Sequence, residues 1–180
     1  MTDRTEPDPE DWSWLPDTYW YVPPASLPAL QLDTGAGTLA WVVDQTVWHV
    51  TGYRTGYVWG VASTLLRRSG ESAPPLGPDS RPLGMTMLGS ITPEGRVHLT
   101  FIPSAPSASA TVGLGRIIRH EGGVSFEMQM SSGSGTVTAH WAYMLQVRPD
   151  DPSWERLPGV GMSVPEMLEG CEPPEVAGGG

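Results

Sequence analysis

Arg116, Glu127 and His140 are residue types that perform acid–base chemistry, and a simple pairing of the predicted strands places them in one row. A carboxylate orients an imidazole, and a guanidinium beside it keeps that carboxylate ionised, so such a row could move a proton on a bound molecule. The same pairing puts the row on the polar face of its sheet, where opposite charges form surface ladders. The three are candidate catalytic residues, and a surface ion-pair ladder is the competing interpretation.

A further candidate catalytic residue, His49, lies in the aromatic stretch VWHVTGYRTGYVWG at positions 47–60. His49, His98 and His140 fall on separate predicted strands without the close spacing of a metal motif, so we expect no metal. The sequence also lacks a phosphate-binding loop, a dinucleotide fingerprint and a serine-nucleophile motif, and we expect no cofactor.

The composition excludes other chemistry. All ten basic residues are Arg, which rules out a Schiff-base lysine, pyridoxal phosphate attachment and a phosphate-binding lysine. The single cysteine, Cys171, rules out an internal disulfide, and its place in a Pro/Gly-rich tail is typical of a free thiol. Abundant Ala, Gly and Pro without any Lys points to a GC-rich, bacterial genome.

The elements that must position these residues are strands. Period-two alternation, β-branched and aromatic residues, and Gly-bearing turns predict an all-β fold. Asp44 and Gln45 separate two apolar runs and are interpreted as a β-bulge. We expect an up-and-down antiparallel barrel of eight or nine strands, with a two-sheet sandwich as the alternative. The predicted strands are 28–33, 38–43, 46–53, 57–67, 84–91, 95–102, 111–119, 124–131 and 136–147.

Hairpin lengths predict which side chains share a face. The Pro-Glu-Gly turn pairs Met87 with Phe101, and a four-residue SGSG loop pairs Phe126 with Trp141. Both pairings give an apolar inner face on which glycine and methionine alternate with rings. The functional interpretation is a cavity with aromatic walls, and the alternative is a solid barrel in which methionine fills the glycine gaps.

The stretch 47–60 allows two registers. A two-residue turn places Trp48, Tyr57 and Trp59 on one apolar face, whereas a three-residue turn places His49 and Trp59 together. The predicted ligand-contacting residues are Trp48, Tyr57, Trp59, Met87, Phe101, Phe126, Met128, Trp141 and Tyr143.

The two ends of the predicted barrel differ. Tight glycine turns lie at one end, and the long segments 67–82 and 103–110 lie at the other, which we take as the mouth. Arg67, Arg68 and Arg81 lie at this mouth and could attract an anionic group of a ligand; solvated rim charge is the alternative.

The chain divides into three parts. Residues 1–16 form an acidic arm expected to be disordered, 17–148 the barrel domain, and 149–180 an acidic Pro/Gly-rich tail. Within the tail, SVPEMLE predicts a short helix capped by Ser163.

Charge and hydropathy limit the partners. A net charge of −10 and a pI near 4.6 oppose nucleic acid binding. No apolar run is long enough to cross a bilayer, and the N-terminus lacks the features of a secretion signal, so we expect a cytoplasmic protein without membrane contact. The sequence predicts no oligomeric state.

The strand meander resembles the calycin group, the lipocalins and avidins, whose eight-stranded barrels hold small molecules. DTYWYVPP is similar to the lipocalin opening Gly-x-Trp-Tyr, with Trp20 and Tyr21 in the matching places and Thr18 where that family has Gly. In that family the Trp packs beside a basic residue at the end of the last strand, and Arg148 stands at the corresponding place. The resemblance implies a ligand inside the barrel.

Three functions follow from this reading. The first is a small-molecule binding protein that holds an apolar or aromatic ligand. The second is a cofactor-free biosynthetic enzyme, such as a cyclase, isomerase or hydratase, that uses the same cavity. The third is a protein-interaction module, for which a filled barrel and an apolar outer patch are expected.

Overall fold

The computed structural model describes residues 11–69, 80–106, 108–133 and 135–177. A 3-10 turn (Pro24–Ser26) joins the first two strands, and two short helices, α1 (Pro152–Glu155) and α2 (Val164–Leu168), follow the last. The strands are β1 (Thr18–Tyr21), β2 (Pro28–Asp33), β3 (Thr38–Arg54), β4 (Tyr57–Arg68), β5 (Leu83–Ile91), β6 (Arg96–Pro103), β7 (Thr111–His120), β8 (Gly123–Gly133) and β9 (Thr136–Val147).

The strands close into an antiparallel eight-stranded barrel, which confirms the predicted fold class. Strands β3 to β9 pair in sequence order, and the gap between β9 and β3 is filled by two short strands. At one end Trp20 of β1 pairs with Trp48, and at the other Leu30 of β2 pairs with Trp41. The 3-10 turn is therefore a break within the eighth barrel strand.

Strand β3 corrects one prediction. The predicted runs 38–43 and 46–53 form one continuous strand, in which Asp44 and Gln45 keep regular pairing with β4. The predicted bulge at these residues is wrong, and the register shift lies between Val50 and Gly52. This shift reverses the expected faces of β4, so that the two-residue turn at 55–56 leaves Tyr57 exposed on the outside.

The register of β8 and β9 is also different from the prediction. Phe126 pairs with Met144, and Gly133 pairs with Val137, so the loop is three residues long. Gly133 allows this because its φ is +147° and a Cβ there would lie 2.7 Å from the Thr136 carbonyl oxygen. The predicted pairing moves by three positions, an odd number, and every β9 side chain changes face.

The other tested pairings are confirmed. Met87 pairs with Phe101 between β5 and β6. Gly115 pairs with Met128, and Arg116 with Glu127, between β7 and β8.

The centre of the barrel is filled in the described part of the chain. Trp20 packs edge-on against Phe126 at 4.6 Å between ring centroids, and Trp48 lies 5.6 Å from the same ring. A Cβ on Gly115 would lie 2.6 Å from the Met128 sulfur, so methionine occupies the space that glycine leaves. The predicted hollow centre is wrong, because the sulfur-bearing side chains that were expected to border a cavity pack into it.

The N-terminal segment closes the end with tight turns. Residues 1–10 of the predicted disordered arm lie outside the described residues, whereas Trp12 and Leu15 are buried in the barrel core. Trp12 Nε1 donates a hydrogen bond to the Thr92 carbonyl oxygen at 2.9 Å, and Arg119 lies over the Trp12 ring at 5.9 Å. Of the two residues compared with the lipocalin opening and its basic partner, Trp20 is fully buried and Arg148 is exposed.

The C-terminal segment packs on the outside of β3, β4 and β9. Leu157, Val164 and Met167 are buried there with Val47 and Leu65. The predicted helix is present as α2, and Ser163 and Glu166 form a reciprocal capping box at its start. The tail is therefore part of the folded body over its described residues.

Candidate functional site

Over the described residues, a small cup opens at the end of the barrel predicted to be its mouth; positions 70–79 and 107 of the predicted mouth segments lie outside the described residues. The enclosed part has a volume of about 50 Å³, and a wider opening of about 460 Å³ continues outward from it. The walls of the cup combine apolar side chains with hydroxyl groups. Its lining residues are Asp44, Thr46, Thr64, Leu66, Met85, Phe101, Thr111, Met130, Ser132, Thr138 and His140.

A buried ion pair forms the floor of the cup. His140 Nδ1 lies 3.0 Å from Asp44 Oδ2, and the two side chains are 2% and 9% exposed. This contact is an ion pair when the imidazole carries its second proton. Asp44 Oδ1 accepts hydrogen bonds from the hydroxyls of Thr64 at 2.7 Å and Thr46 at 2.8 Å.

The other ring nitrogen of His140 also has a partner. Nε2 lies 2.6 Å from the Ser26 carbonyl oxygen, and since a carbonyl only accepts, Nε2 carries a hydrogen. With an acceptor at each nitrogen, the imidazole is held as the charged imidazolium.

The pKa values of the pair move in the directions that this charge state requires. Burial alone would raise the pKa of Asp44, but the hydrogen bond and charge of His140, with the two threonine hydroxyls, hold it below its ordinary value. Burial alone would lower the pKa of His140, but the contact and charge of Asp44 and the Ser26 carbonyl raise it.

The break in the eighth strand explains why polar residues occupy these positions. The backbone turns away from the sheet at Pro24–Ser26. The Ser26 carbonyl therefore accepts a hydrogen bond from His140, whereas in a regular strand it would accept one from the backbone of the neighbouring strand. The Asp44 amide donates to the Leu27 carbonyl at 2.9 Å. From the outer side, Gln45 Nε2 donates to the Val22 carbonyl at 3.0 Å, and Gln45 Oε1 accepts from the Gly159 amide.

Five of the predicted ligand-contacting residues lie inside the barrel. Phe101 lines the cup directly. The others belong to the packed core beneath it; they are Trp48, Met87, Phe126 and Met128. Their role in binding stays a prediction.

The remaining four lie on the outer surface. Tyr57 is 65% and Trp141 is 53% exposed, and the Trp141 and Tyr143 rings stack edge to face at 5.3 Å. Trp59 lies over Gly52, where a Cβ would be 2.2 Å from its ring. The expected inward placement of these four is wrong because of the bulge in β3 and the register of β9.

The structure separates the candidate catalytic residues. Arg116 Nε bonds to Glu127 Oε2 at 2.7 Å on the outer surface, as the ladder interpretation expects. His140 is not part of this row, because Glu127 pairs with Tyr143 and His140 points inward. His49 lies on the outside of β3, stacked on Tyr19 at 4.1 Å, and burial lowers its pKa against the opposing charge of Asp17.

Asp44 is the functional residue that strand periodicity missed. The bulge interpretation overlooks that the run VVDQTV places three consecutive polar residues, Asp44, Gln45 and Thr46, in an otherwise apolar strand. A charged residue at a buried strand position requires a partner, and that requirement was the available signal. Thr46 and Thr64 follow from it as hydroxyl partners of the carboxylate.

Two general observations concern the described residues. Among them, no three His, Cys, Asp or Glu side chains come together in a group that could hold a metal ion. None of the helices in the described ranges has the length and apolar character needed to span a bilayer.

Comparison of the chain with protein-family models, with curated proteins and with solved structures found no match. The functional argument therefore depends on the geometry of the barrel and its cup.

Proposed function

We propose that the protein binds a small molecule in the cup at the open end of its barrel. The observation that carries the proposal is the buried Asp44–His140 pair, which faces a cavity flanked by apolar side chains. Buried charges are costly, and in a filled barrel they would be expected only where they serve the backbone or a ligand. Binding at the open end of an eight-stranded barrel is also the calycin-like use of the fold that we propose here.

The chemistry of the lining defines the ligand class. The Asp44 and His140 charges compensate each other, which favours an uncharged ligand over one with the anionic group that the rim arginines could attract. Among the rim arginines, Arg67 already donates a hydrogen bond to the Gly159 carbonyl of the protein itself, at 3.2 Å. Thr46 and Thr64 donate their hydrogens to Asp44 and keep only accepting lone pairs for a ligand. The best fit is an apolar or aromatic ring that carries one hydroxyl or amine donor.

Binding is a better account than catalysis. A general base needs a ring nitrogen or carboxylate oxygen that reaches its substrate. Both nitrogens of His140 contact acceptors of the protein itself. The cyclase, isomerase or hydratase alternative therefore lacks a free proton acceptor at the imidazole, and the pair supplies a fixed polar floor.

Phenol is a suitable probe, because it combines an aromatic ring with one hydroxyl donor. We expect saturable binding of phenol by titration calorimetry and weaker binding of benzoate, whose charge the floor does not match. Thr111→Phe should weaken phenol binding at least about tenfold by filling the cup. Ser90→Phe is the matched control, since Ser90 lies on the outer surface near the opposite end.

The proposal is contradicted if phenol does not saturate the native protein. Equal weakening by Thr111→Phe and Ser90→Phe would also count against it, provided that circular dichroism shows both variants folded.

A further inference from the structure

A surface with many exposed apolar side chains crosses the outside of the barrel. Leu30 of β2 pairs with Trp41 on one side and Ala139 on the other. Further apolar side chains point outward on β9, β7, β6 and β5, with polar side chains such as Gln129 and Ser131 of β8 between them. We call it the outer apolar face; its exposed members are Trp41, Trp141, Leu114, Val112, Ile102 and Leu88.

The outer apolar face contains a groove of the kind found at protein–protein interfaces. Trp41 is 63%, Trp141 53% and Leu114 57% exposed, and these three side chains line a groove of about 630 Å³. Soluble proteins seldom leave two tryptophans and a leucine exposed around one groove unless something covers them. Exposed tryptophans beside such a groove are the side chains that most often anchor a protein–protein contact.

The distribution of charge along the chain indicates what can occupy the outer apolar face. Residues 83–147, which supply most of the face, contain three Arg and three Glu, whereas residues 148–180 contain two Arg and seven acidic residues. In a chain of net charge −10, this is the side on which two copies can approach without repulsion. Arg116 and Glu127 lie at its border next to Leu114, one of each sign.

We infer that two copies of this chain associate through their outer apolar faces about a two-fold axis. In such an isologous contact each copy presents the same patch, so Arg116 of one copy meets Glu127 of the other and the tryptophans of each enter the other's groove. The inference is independent of the proposed function, because the cup opens at the end of the barrel.

Sedimentation velocity across a range of protein concentrations tests the association. We expect a reversible monomer–dimer equilibrium in the native protein and a rise of the dissociation constant by more than about 30-fold in Leu114→Glu and in Trp141→Ser. Tyr57→Ser is the control, because Tyr57 is equally exposed but lies off the face, and its dissociation constant should not change.

A charge-swap experiment tests whether Arg116 of one copy meets Glu127 of the other across the two-fold axis. Arg116→Glu and Glu127→Arg should each weaken self-association, and an equimolar mixture of the two variants should form a heterodimer, since every cross-contact then joins opposite charges. A native protein that stays monomeric at all concentrations overturns the inference. A dimer that is insensitive to Leu114→Glu and Trp141→Ser overturns it too, as does a monomer that binds only a different protein through this face.

Discussion

At the scale of single residues, the molecule is organised around Asp44 and His140. Neither is on the outer surface, and each bonds to the backbone or to hydroxyls around the break in the eighth strand. The pair therefore both supports the barrel wall and forms the floor of the cup. A carboxylate and an imidazole this deeply buried depend on each other, because removing one leaves the other as an uncompensated charge.

The first prediction concerns the pH dependence of this pair. The pKa of folded His140 is raised above 6.5, so its contribution to stability is complete below pH 6.5 and is lost as pH rises through the raised value. The pKa of folded Asp44 is lowered below 3.8, so its contribution is complete above that pH and is lost as pH falls through the lowered value. The stabilising effect of the pair is therefore full between about pH 4 and 6.5.

Urea unfolding of His140→Leu measures this effect. We expect the variant to lose about 3 kcal/mol of unfolding free energy at pH 6 and progressively less as the pH rises through the raised pKa of the native imidazole. His49→Gln is the control with the opposite slope: its pKa is lowered, so native His49 costs stability as pH falls below 6.5. A deficit in His140→Leu that is constant with pH would show that the pair is not ionised as described.

The sequence allowed some of the site residues to be placed correctly and left others unplaced. The Arg116–Glu127 pair could be predicted, because the short turn between β7 and β8 fixes its register. His140 could not be assigned to the interior, because the loop SGSG gives no single length and one odd shift reverses a whole strand. Asp44 could have been found by asking what neutralises a charge within an apolar strand.

At the scale of elements, the boundaries of the strands from β2 onward could be predicted from side-chain alternation and turn residues to within a few residues, apart from the division of β3 into two runs. What alternation could not show is that two short strands share one barrel position, because β1 is only four residues long and β2 reads as an independent strand. The bulge in β3 was equally hidden, since Val50 to Gly52 carries no turn residue other than glycine. Both features depend on tertiary closure.

The second element-scale result is that the N-terminal segment is a structural cap. Trp12→Ala should cost about 3–5 kcal/mol of unfolding free energy, the range for deleting a large buried aromatic side chain. The loss combines the apolar contacts at the closed end with the hydrogen bond from Trp12 Nε1 to Thr92. Chemical denaturation of the purified variant measures it.

An exposed aromatic residue provides the comparison for Trp12. Tyr57→Ala should change the unfolding free energy by less than about 0.5 kcal/mol, because its side chain is 65% exposed. If both substitutions had similar small effects, the N-terminal segment would not be a cap and the description of the closed end would be incorrect.

At the scale of the whole molecule, the barrel is closed at one end, packed through its middle and open at the other. An aromatic column runs along the axis from Trp12 through Trp14, Trp20 and Phe126 to Trp48 and Phe101. Phe101 ends the column in the wall of the cup. The column makes the barrel rigid below the cup.

The central claim is that this open end, and not the barrel centre or the outer surface, is the binding site. Methionine methyl groups report on all three places: Met85 and Met130 line the cup, Met87 and Met128 lie in the core, and Met162 and Met167 belong to the C-terminal segment on the outside of the barrel. Carbon-13 labelling of these methyls allows each place to be followed by NMR while phenol is added.

The account predicts that the Met85 and Met130 methyl resonances move saturably with phenol, while those of Met162 and Met167 stay in place. Phenol titration that leaves Met85 and Met130 unchanged, or that shifts mainly the methyls outside the barrel, would contradict it.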